Sequence, residues 1–292
     1  MRSAVITLAA GRHRHLALQQ AGLAAGSQAP DTYVVVAMGD PGLAGVLAHR
    51  EPAADLLHCP VGPEGLPLAR ARNLGAARAL EAGAELLIFL DVDCVPGHRL
   101  VERYAEAAGC PAHARSLLCG TVAYLPPPGA AGYRLTELPL LASPHPARPA
   151  PGPQEARRSS DHSLFWSLSF ALTAGTWQAV GGFCESYRGY GGEDTDYGQV
   201  AREAGIPLTW LGGAPAYHQY HPVSSPPVEH LDAILRNAEI FRRRWGWWPM
   251  APWLDAFASQ GLVRWDRADD RWVRAGPDEA GDLPQHGALG SD

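Results

Sequence analysis

Apolar runs and helical stripes alternate along the first 125 residues. Ala4 to Leu8 reads as a strand, Thr32 to Met38 as a second with Val34, Val35 and Val36 at its centre, and Leu86 to Leu90 as a third. Between them, His15 to Ala25 and Ala69 to Ala82 carry helical spacing, the second stopped by Gly83. Leu100 to Ala108 adds a helix and Leu117 to Ala123 a strand. Runs that are apolar at every position, rather than at alternate ones, belong to strands buried on both faces. Strand–helix alternation of this kind predicts an α/β fold with a doubly wound, mostly parallel, Rossmann-like sheet.

The pattern changes after residue 125. Residues 126–160, with Pro126-Pro127-Pro128-Gly129 and a proline-rich run over 144–153, read as a loop or linker. Residues 161–228 form a second half, with a strand at Leu208 to Leu211. Residues 229–274 are expected to be a C-terminal helical extension, since Leu231, Ile234, Leu235, Ala238 and Phe241 make an apolar stripe. The stretch 275–292, rich in Gly, Asp and Pro, is expected to be a disordered tail.

Composition narrows the classes. All 24 basic residues are arginine, net charge is −6 and no long basic block occurs, which argues against a nucleic-acid partner. No apolar stretch is long enough to cross a membrane, and the apolar part of the N-terminus is too short for a secretion signal, so a cytoplasmic location is expected. Three arginines and three tryptophans between Arg242 and Trp248 leave room for weak membrane association at most. Five cysteines without a Cys-x-x-Cys spacing exclude a zinc knuckle and a complete set of disulfides within one chain.

Three stretches carry chemistry. Asp91 and Asp93 follow the Leu86–Leu90 strand at its carboxyl end, the edge at which open α/β sheets bind ligands. Two carboxylates so close repel unless a cation or hydrogen-bond donors neutralise them; a divalent metal and a solvated loop that caps the next helix are equal readings of the pair alone. Gly191 and Gly192 precede Glu193, Asp194 and Asp196 at the start of a helix. Asp196 fits a plain helix cap, whereas Glu193 and Asp194 directly after two glycines suit a carboxylate held against a substrate hydroxyl. His218 and His221, three residues apart after a strand, are either metal ligands or structural histidines.

In this order, Phe89-Leu90-Asp91-Val92-Asp93, Phe170-Ala171-Leu172, Val180-Gly181-Gly182-Phe183, Gly189-Tyr190-Gly191-Gly192-Glu193-Asp194-Thr195-Asp196 and His218 to His221 resemble the GT-A glycosyltransferases of family 2, with a galactosyltransferase-like C-terminal segment. The resemblance covers residues 4–245 and implies the GT-A type of doubly wound sheet. It makes residues 1–125 the nucleotide-sugar-binding half and 161–228 the acceptor and catalytic half. It implies an inverting, metal-dependent transfer from a nucleotide-diphosphate sugar, a UDP-sugar first, to an acceptor hydroxyl on a glycan, a lipid-linked molecule or a small molecule. Asp93 and His221 would hold Mn²⁺ or Mg²⁺ with His218 as a third ligand, histidine ligation favouring Mn²⁺. Asp194 would be the general base and Glu193 would orient the acceptor. Arg12, Asp40, Arg72, Asn73 and Asp91 would contact the donor, although Arg12, Arg72 and Asn73 equally fit surface charges or caps. Two departures stand out: Asp40 alone replaces the usual acidic cluster after the second strand, and Tyr190 stands where a tryptophan is common. A sugar-nucleotidyltransferase and a non-catalytic module binding a nucleotide sugar or glycan are the competing readings.

Overall fold

A computed structural model describes residues 1–276. It divides into two units, one formed by Met1–Arg188 with Glu193–Pro222, the other by Gly189–Gly192 with the residues from Val223 onward.

The first unit is built on one ten-stranded sheet. Its elements are β1 (Ser3–Ala9), α1 (His13–Ala24), β2 (Thr32–Met38), α2 (Leu43–Leu47), β3 (Ala54–Cys59), α3 (Leu68–Glu81), β4 (Leu86–Leu90), β5 (Cys94–Pro96), α4 (Leu100–Gly109), β6 (Leu117–Tyr124), α5 (Leu138–Leu141), β7 (Ser143–Pro144), β8 (Ala156–Ser159), β9 (Ser169–Thr173), α6 (Ala174–Val180), α7 (Glu193–Glu203) and β10 (Leu208–His218). The strand order is β3-β2-β1-β4-β9-β6-β10-β5, with β7 on β6 and β8 on β10. β1, β2, β3, β4, β6 and β10 point one way; β5, β7, β8 and β9 oppose them. The sheet is therefore mostly parallel, as the uniformly apolar strands predict. β9 is the exception at its centre, running antiparallel between β4 and β6.

Alternate residues of each strand feed two cores, one on either face. Ala4, Ile6, Val34, Val36, Leu87 and Phe89 pack with the alanines of α3, Trp177 of α6 and Tyr197 of α7. Val5, Val35, Leu86 and Ile88 pack with Leu16 and Leu23 of α1 and with Leu100, Val101 and Tyr104 of α4. Gly75 lets α3 approach β1: a Cβ there would lie 2.5 Å from Ile6 Cγ2. Residues 126–160 contribute α5, β7 and β8, the two strands extending the sheet.

The second unit contains α8 (Leu231–Trp245), α9 (Ala251–Ser259) and a hairpin of β11 (Val263–Asp266) and β12 (Arg271–Arg274). The predicted helical extension is thus helical only to Ser259. In the hairpin Val263-Arg264-Trp265-Asp266 alternates apolar and charged residues, and Trp265 lies directly opposite Trp272 at 5.4 Å between ring centroids. Leu231, Ile234, Ala238, Leu254, Phe257 and Val263 form its core, and Trp248, Trp253 and Trp272 pack against them. The expected disordered tail lies, from residue 277 on, outside the described residues. No helix among the described residues is long and apolar enough to cross a membrane, and all five cysteines are free.

Candidate active site

The carboxyl end of β4 and the end of β10 meet through β5. This short strand follows the Asp91–Asp93 turn and pairs antiparallel with β10, setting Cys94 opposite His218. The Gln219 N–H donates to the Asp93 carbonyl at 2.7 Å, so the histidine segment is fastened to the aspartate turn by backbone. His218 Nε2 then lies 3.5 Å from Asp93 Oδ1, and His221 Nε2 lies 3.4 Å from Asp93 Oδ2. One donor atom from each of the three side chains falls within 4.8 Å of the others. Asp93 Oδ1 is buried without a hydrogen-bond partner, which is costly for a carboxylate oxygen. A carboxylate with one unpartnered oxygen and two imidazoles converging on it fit a divalent ion.

The surroundings set the protonation states a metal needs. Burial opposes ionisation of Asp93, but the His221 hydrogen bond and the charges of His218, His221 and Arg12 outweigh it and lower its pKa. Burial lowers the pKa of His218, favouring the neutral imidazole that ligates. Tyr124 stacks on His218 at 4.7 Å, and His15 lies edge-on to His221 at 6.4 Å.

A second cluster gathers around Arg72 on α3, which is 3% exposed. Its Nη1 donates to Glu193 Oε1 at 3.1 Å across 121 residues of chain, and its Nη2 lies 3.5 Å from Asp91 Oδ1. The guanidinium covers the Phe183 ring at 5.1 Å. Arg72 therefore ties the turn that carries Asp93 to the start of α7, where Gly191 and Gly192, at φ +92° and +90°, turn the chain into Glu193 and Asp194. Asp194 Oδ1 accepts from the Thr195 N–H at 2.7 Å. Burial, then the charge of Glu193, raise the Asp194 pKa to about 6 against the pull of Arg72 and Thr195. Burial also raises Asp91 to about 7, partly offset by Arg72; its side chain keeps 29% exposure. Asp196, which reads as a plain cap in sequence, is 1% exposed and accepts from the Tyr187 hydroxyl at 3.1 Å.

The remaining expected donor contacts have other partners. Asp40 accepts from the Gly11 and Gly42 N–H groups, both at 2.9 Å, and lies 2.8 Å from His13 Nε2; it clasps the β1–α1 and β2–α2 loops together. The His13 hydrogen bond holds its carboxyl below the ordinary range. Arg12 sits on the β1–α1 loop at φ 54°, and its charge reaches Asp93 and His15. Asn73 brackets Phe183, donating to its carbonyl at 3.0 Å and accepting from its N–H at 2.8 Å, and also donates to Glu185 at 2.9 Å.

Gln19 escapes a sequence reading based on charges. It is fully buried on α1, and its Nε2 donates to the carbonyls of Asp91 at 2.6 Å and Cys94 at 3.0 Å. Its Oε1 lies 2.8 Å from the Thr7 hydroxyl and accepts from the Tyr33 hydroxyl at 3.1 Å. This amide thus supports the aspartate turn from the α1 side, alongside the Asp91 N–H on the Leu168 carbonyl at 2.9 Å. A signal exists: Leu16, Gln19, Gln20 and Leu23 occupy i, i+3, i+4 and i+7 of one buried helix face.

Residues 154–222 match a family model described as the N-terminal domain of galactosyltransferase. Over 160 residues the chain is 32% identical to validoxylamine A glucosyltransferase of Streptomyces hygroscopicus subsp. jinggangensis (strain 5008), covering 50% of this chain and 37% of that enzyme. The enzyme of the same name from subsp. limoneus gives the same identity over 35% of its length. The chain therefore spans little more than a third of the curated relatives it matches. Among solved structures, GalNAc-T7 with UDP, GalNAc and Mn²⁺ superposes with a TM-score of 0.53 at 15% identity, over 91% of this chain and 60% of that one. S. aureus TarS gives 0.55 at 13% identity, over 87% of this chain and 45% of that one. At such identities the likeness is one of fold, and the fold is GT-A.

Proposed function

We propose that this chain, of the GT-A glycosyltransferase type, moves a sugar from a nucleoside diphosphate donor to an acceptor hydroxyl, with inversion at the anomeric carbon. The convergence of Asp93, His218 and His221 at the sheet edge that also carries Asp91, Glu193 and Asp194 supports this reading best. The solved GalNAc-T7 complex with UDP and Mn²⁺, and relatives named as glucosyltransferases, favour a UDP-sugar donor, with UDP-glucose the first to try.

Asp93, His218 and His221 would hold Mn²⁺ or Mg²⁺. Bound there, the ion supplies positive charge to a leaving diphosphate, as cations do in phosphoryl chemistry generally. The protein's own groups do the rest. Asp194, with a pKa near 6, is ionised at neutral pH yet basic enough to accept a proton from a hydroxyl. As the acceptor oxygen attacks C1, its proton passes to Asp194 while the C1–O bond to the diphosphate breaks on the opposite face. The developing oxocarbenium character is of the kind met in glycoside hydrolysis. Glu193, fixed by Arg72, keeps Oε2 buried and without a hydrogen-bond partner, suited to an acceptor hydroxyl. Asp91, tethered to the same arginine, supports the donor side.

The test is a transfer assay with UDP-glucose and a panel of small acceptors, run beside UDP titration with and without Mn²⁺. Transfer that Asp194→Asn abolishes while UDP binding persists is the expected result. Mn²⁺-dependent UDP binding with no turnover of any donor would favour the non-catalytic module. Pyrophosphate exchange in place of transfer would favour the nucleotidyltransferase.

A further inference from the structure

The proline-rich run over 144–153 buries a cation. Arg148 is only 8% exposed, and both its Nη1 and Nη2 are buried with no hydrogen-bond partner. Its guanidinium lies between two indoles, 4.8 Å from the ring centre of Trp210 on β10 and 5.4 Å from that of Trp166. Trp210 is 1% exposed, and its Nε1 is a third buried donor without a partner. The ionisable groups that feel the Arg148 charge are Cys94, Tyr104, Cys119, Tyr124 and His145, all neutral near pH 7. Among the described residues no carboxylate pairs with Arg148.

Two aromatic faces compensate part of the desolvation of a guanidinium, but they accept none of its N–H groups. Buried polar groups in folded proteins are partnered as a rule, and a buried charge most of all. Three buried N–H-bearing nitrogens on two stacked side chains outnumber the oxygens of a carboxylate and suit a tetrahedral oxyanion, for which the planar arginine fork is well shaped. We propose that Arg148 and the Trp210 indole N–H form a binding site for a phosphate-class oxyanion, separate from the Asp93–His218–His221 cluster.

The place of this site in the fold gives it a connection to the candidate metal ligands. The run is anchored at its ends, where Pro144 pairs with Ala123 of β6 and Ala156 pairs with Leu211 of β10. Within it, the Ala147 and Arg148 N–H groups bond only back to His145, each at 3.1 Å. The span is further held by the His145 N–H on the Val122 carbonyl at 3.4 Å and by the Gly212 N–H on the Glu155 carbonyl at 2.9 Å. On the inner side, His145 packs edge-on to Trp166 at 4.9 Å and lies 5.5 Å from Tyr124, which stacks on His218. The oxyanion therefore sits three rings from the candidate metal ligands. It is either free phosphate or a phosphate carried on a sugar. The site does not depend on the transferase reading, since an inactive chain keeps it.

Calorimetric titration of the full chain, in phosphate-free and metal-free buffer, tests this with inorganic phosphate and with glucose 6-phosphate as separate probes. Wild-type protein is expected to bind one or both, with affinity at least tenfold lower in Arg148→Met and severalfold lower in Arg148→Lys and Trp210→Phe. Binding of inorganic phosphate supports a free-anion site; binding of the sugar phosphate alone supports a subsite for a phosphorylated substrate. Asp93→Ala is expected to retain phosphate binding. Should Arg148→Met fail to fold, Arg148→Lys and Trp210→Phe carry the test. No binding of either probe, equal binding in wild type and the Arg148 and Trp210 variants, or binding lost in Asp93→Ala instead, would overturn the proposal.

Discussion

Replacing Gln19 by methionine separates the support of the aspartate turn from its chemistry. Methionine keeps length and volume on the buried face of α1 but removes both polar atoms. The four contacts of Gln19 do not fail equally. Asp91 O still accepts from the Cys94 N–H at 2.8 Å, and the Thr7 hydroxyl still lies 3.0 Å from Leu90 O. The Tyr33 hydroxyl, on a ring 1% exposed, and the Cys94 carbonyl lose the partner that Gln19 gave them. A buried polar group left unpaired costs about 1–3 kcal/mol, so the two together predict a loss of about 2–6 kcal/mol. Gln20→Met is the control: on the same face, Gln20 Nε2 donates to Pro52 O at 2.9 Å, far from the turn, and its loss costs about 1 kcal/mol. Urea unfolding reads the stabilities from midpoint shifts at constant slope, and Mn²⁺ titration reads the site. The expected result is weaker Mn²⁺ binding in Gln19→Met and unchanged binding in Gln20→Met. Equal stability losses with Mn²⁺ affinity untouched in both would refute the idea that the Gln19 amide supports the turn.

Three further outcomes follow from the site. Transfer activity is expected to rise with pH through about 6 and then level, as Asp194 ionises. Because its folded-state pKa is raised, the same group contributes stability that is full below the ordinary carboxylate pKa and lost as pH rises through about 6; Asp194→Asn flattens that slope in a pH series of denaturation midpoints. Asp93→Ala or His221→Ala is expected to lower Mn²⁺ affinity at least about tenfold, read by titration calorimetry, with chelation of wild type reproducing the effect on transfer. Arg72→Met leaves Glu193 buried without its counter-charge, so a stability loss of about 3–5 kcal/mol is expected; Arg72→Lys should recover part of the fold and less of the turnover, since a point charge cannot bridge Asp91 and Glu193 as the fork does.

Legibility in the sequence followed physical range. β1, β2, β4 and β6 are visible because burial on both faces writes a mostly apolar run. β10 reads as ending at Leu211 because Gly212-Gly213-Ala214-Pro215 looks like a turn; the strand instead continues to His218 through a register shift between Leu211 and Ala216. That continuation is what brings the histidines to Asp93, so the Asp93–His218–His221 cluster is legible in sequence as residue types but not as a place. β9 is five residues long and gives no period to read. The Arg72–Glu193 bridge joins positions that share nothing locally, and only the folded sheet brings them together. Gln19 and Arg148 went unread because a polar residue on a helix or in a proline-rich loop is ordinarily solvated, and neither one is.

The antiparallel strand at the middle of the sheet bears on how the chain is made. β4 and β6 both precede residue 125, yet the strand that fills the gap between them starts at Ser169. During synthesis the facing flanks of Phe89 and Cys119 stay open until that segment emerges, and open strand flanks invite pairing with other chains. A cut between residues 125 and 168 would therefore give two fragments neither of which can close the sheet alone. Co-expressed, they meet through insertion of β9 between β4 and β6 and of β10 between β6 and β5, and recovery of the folded sheet from the two pieces would report on those steps.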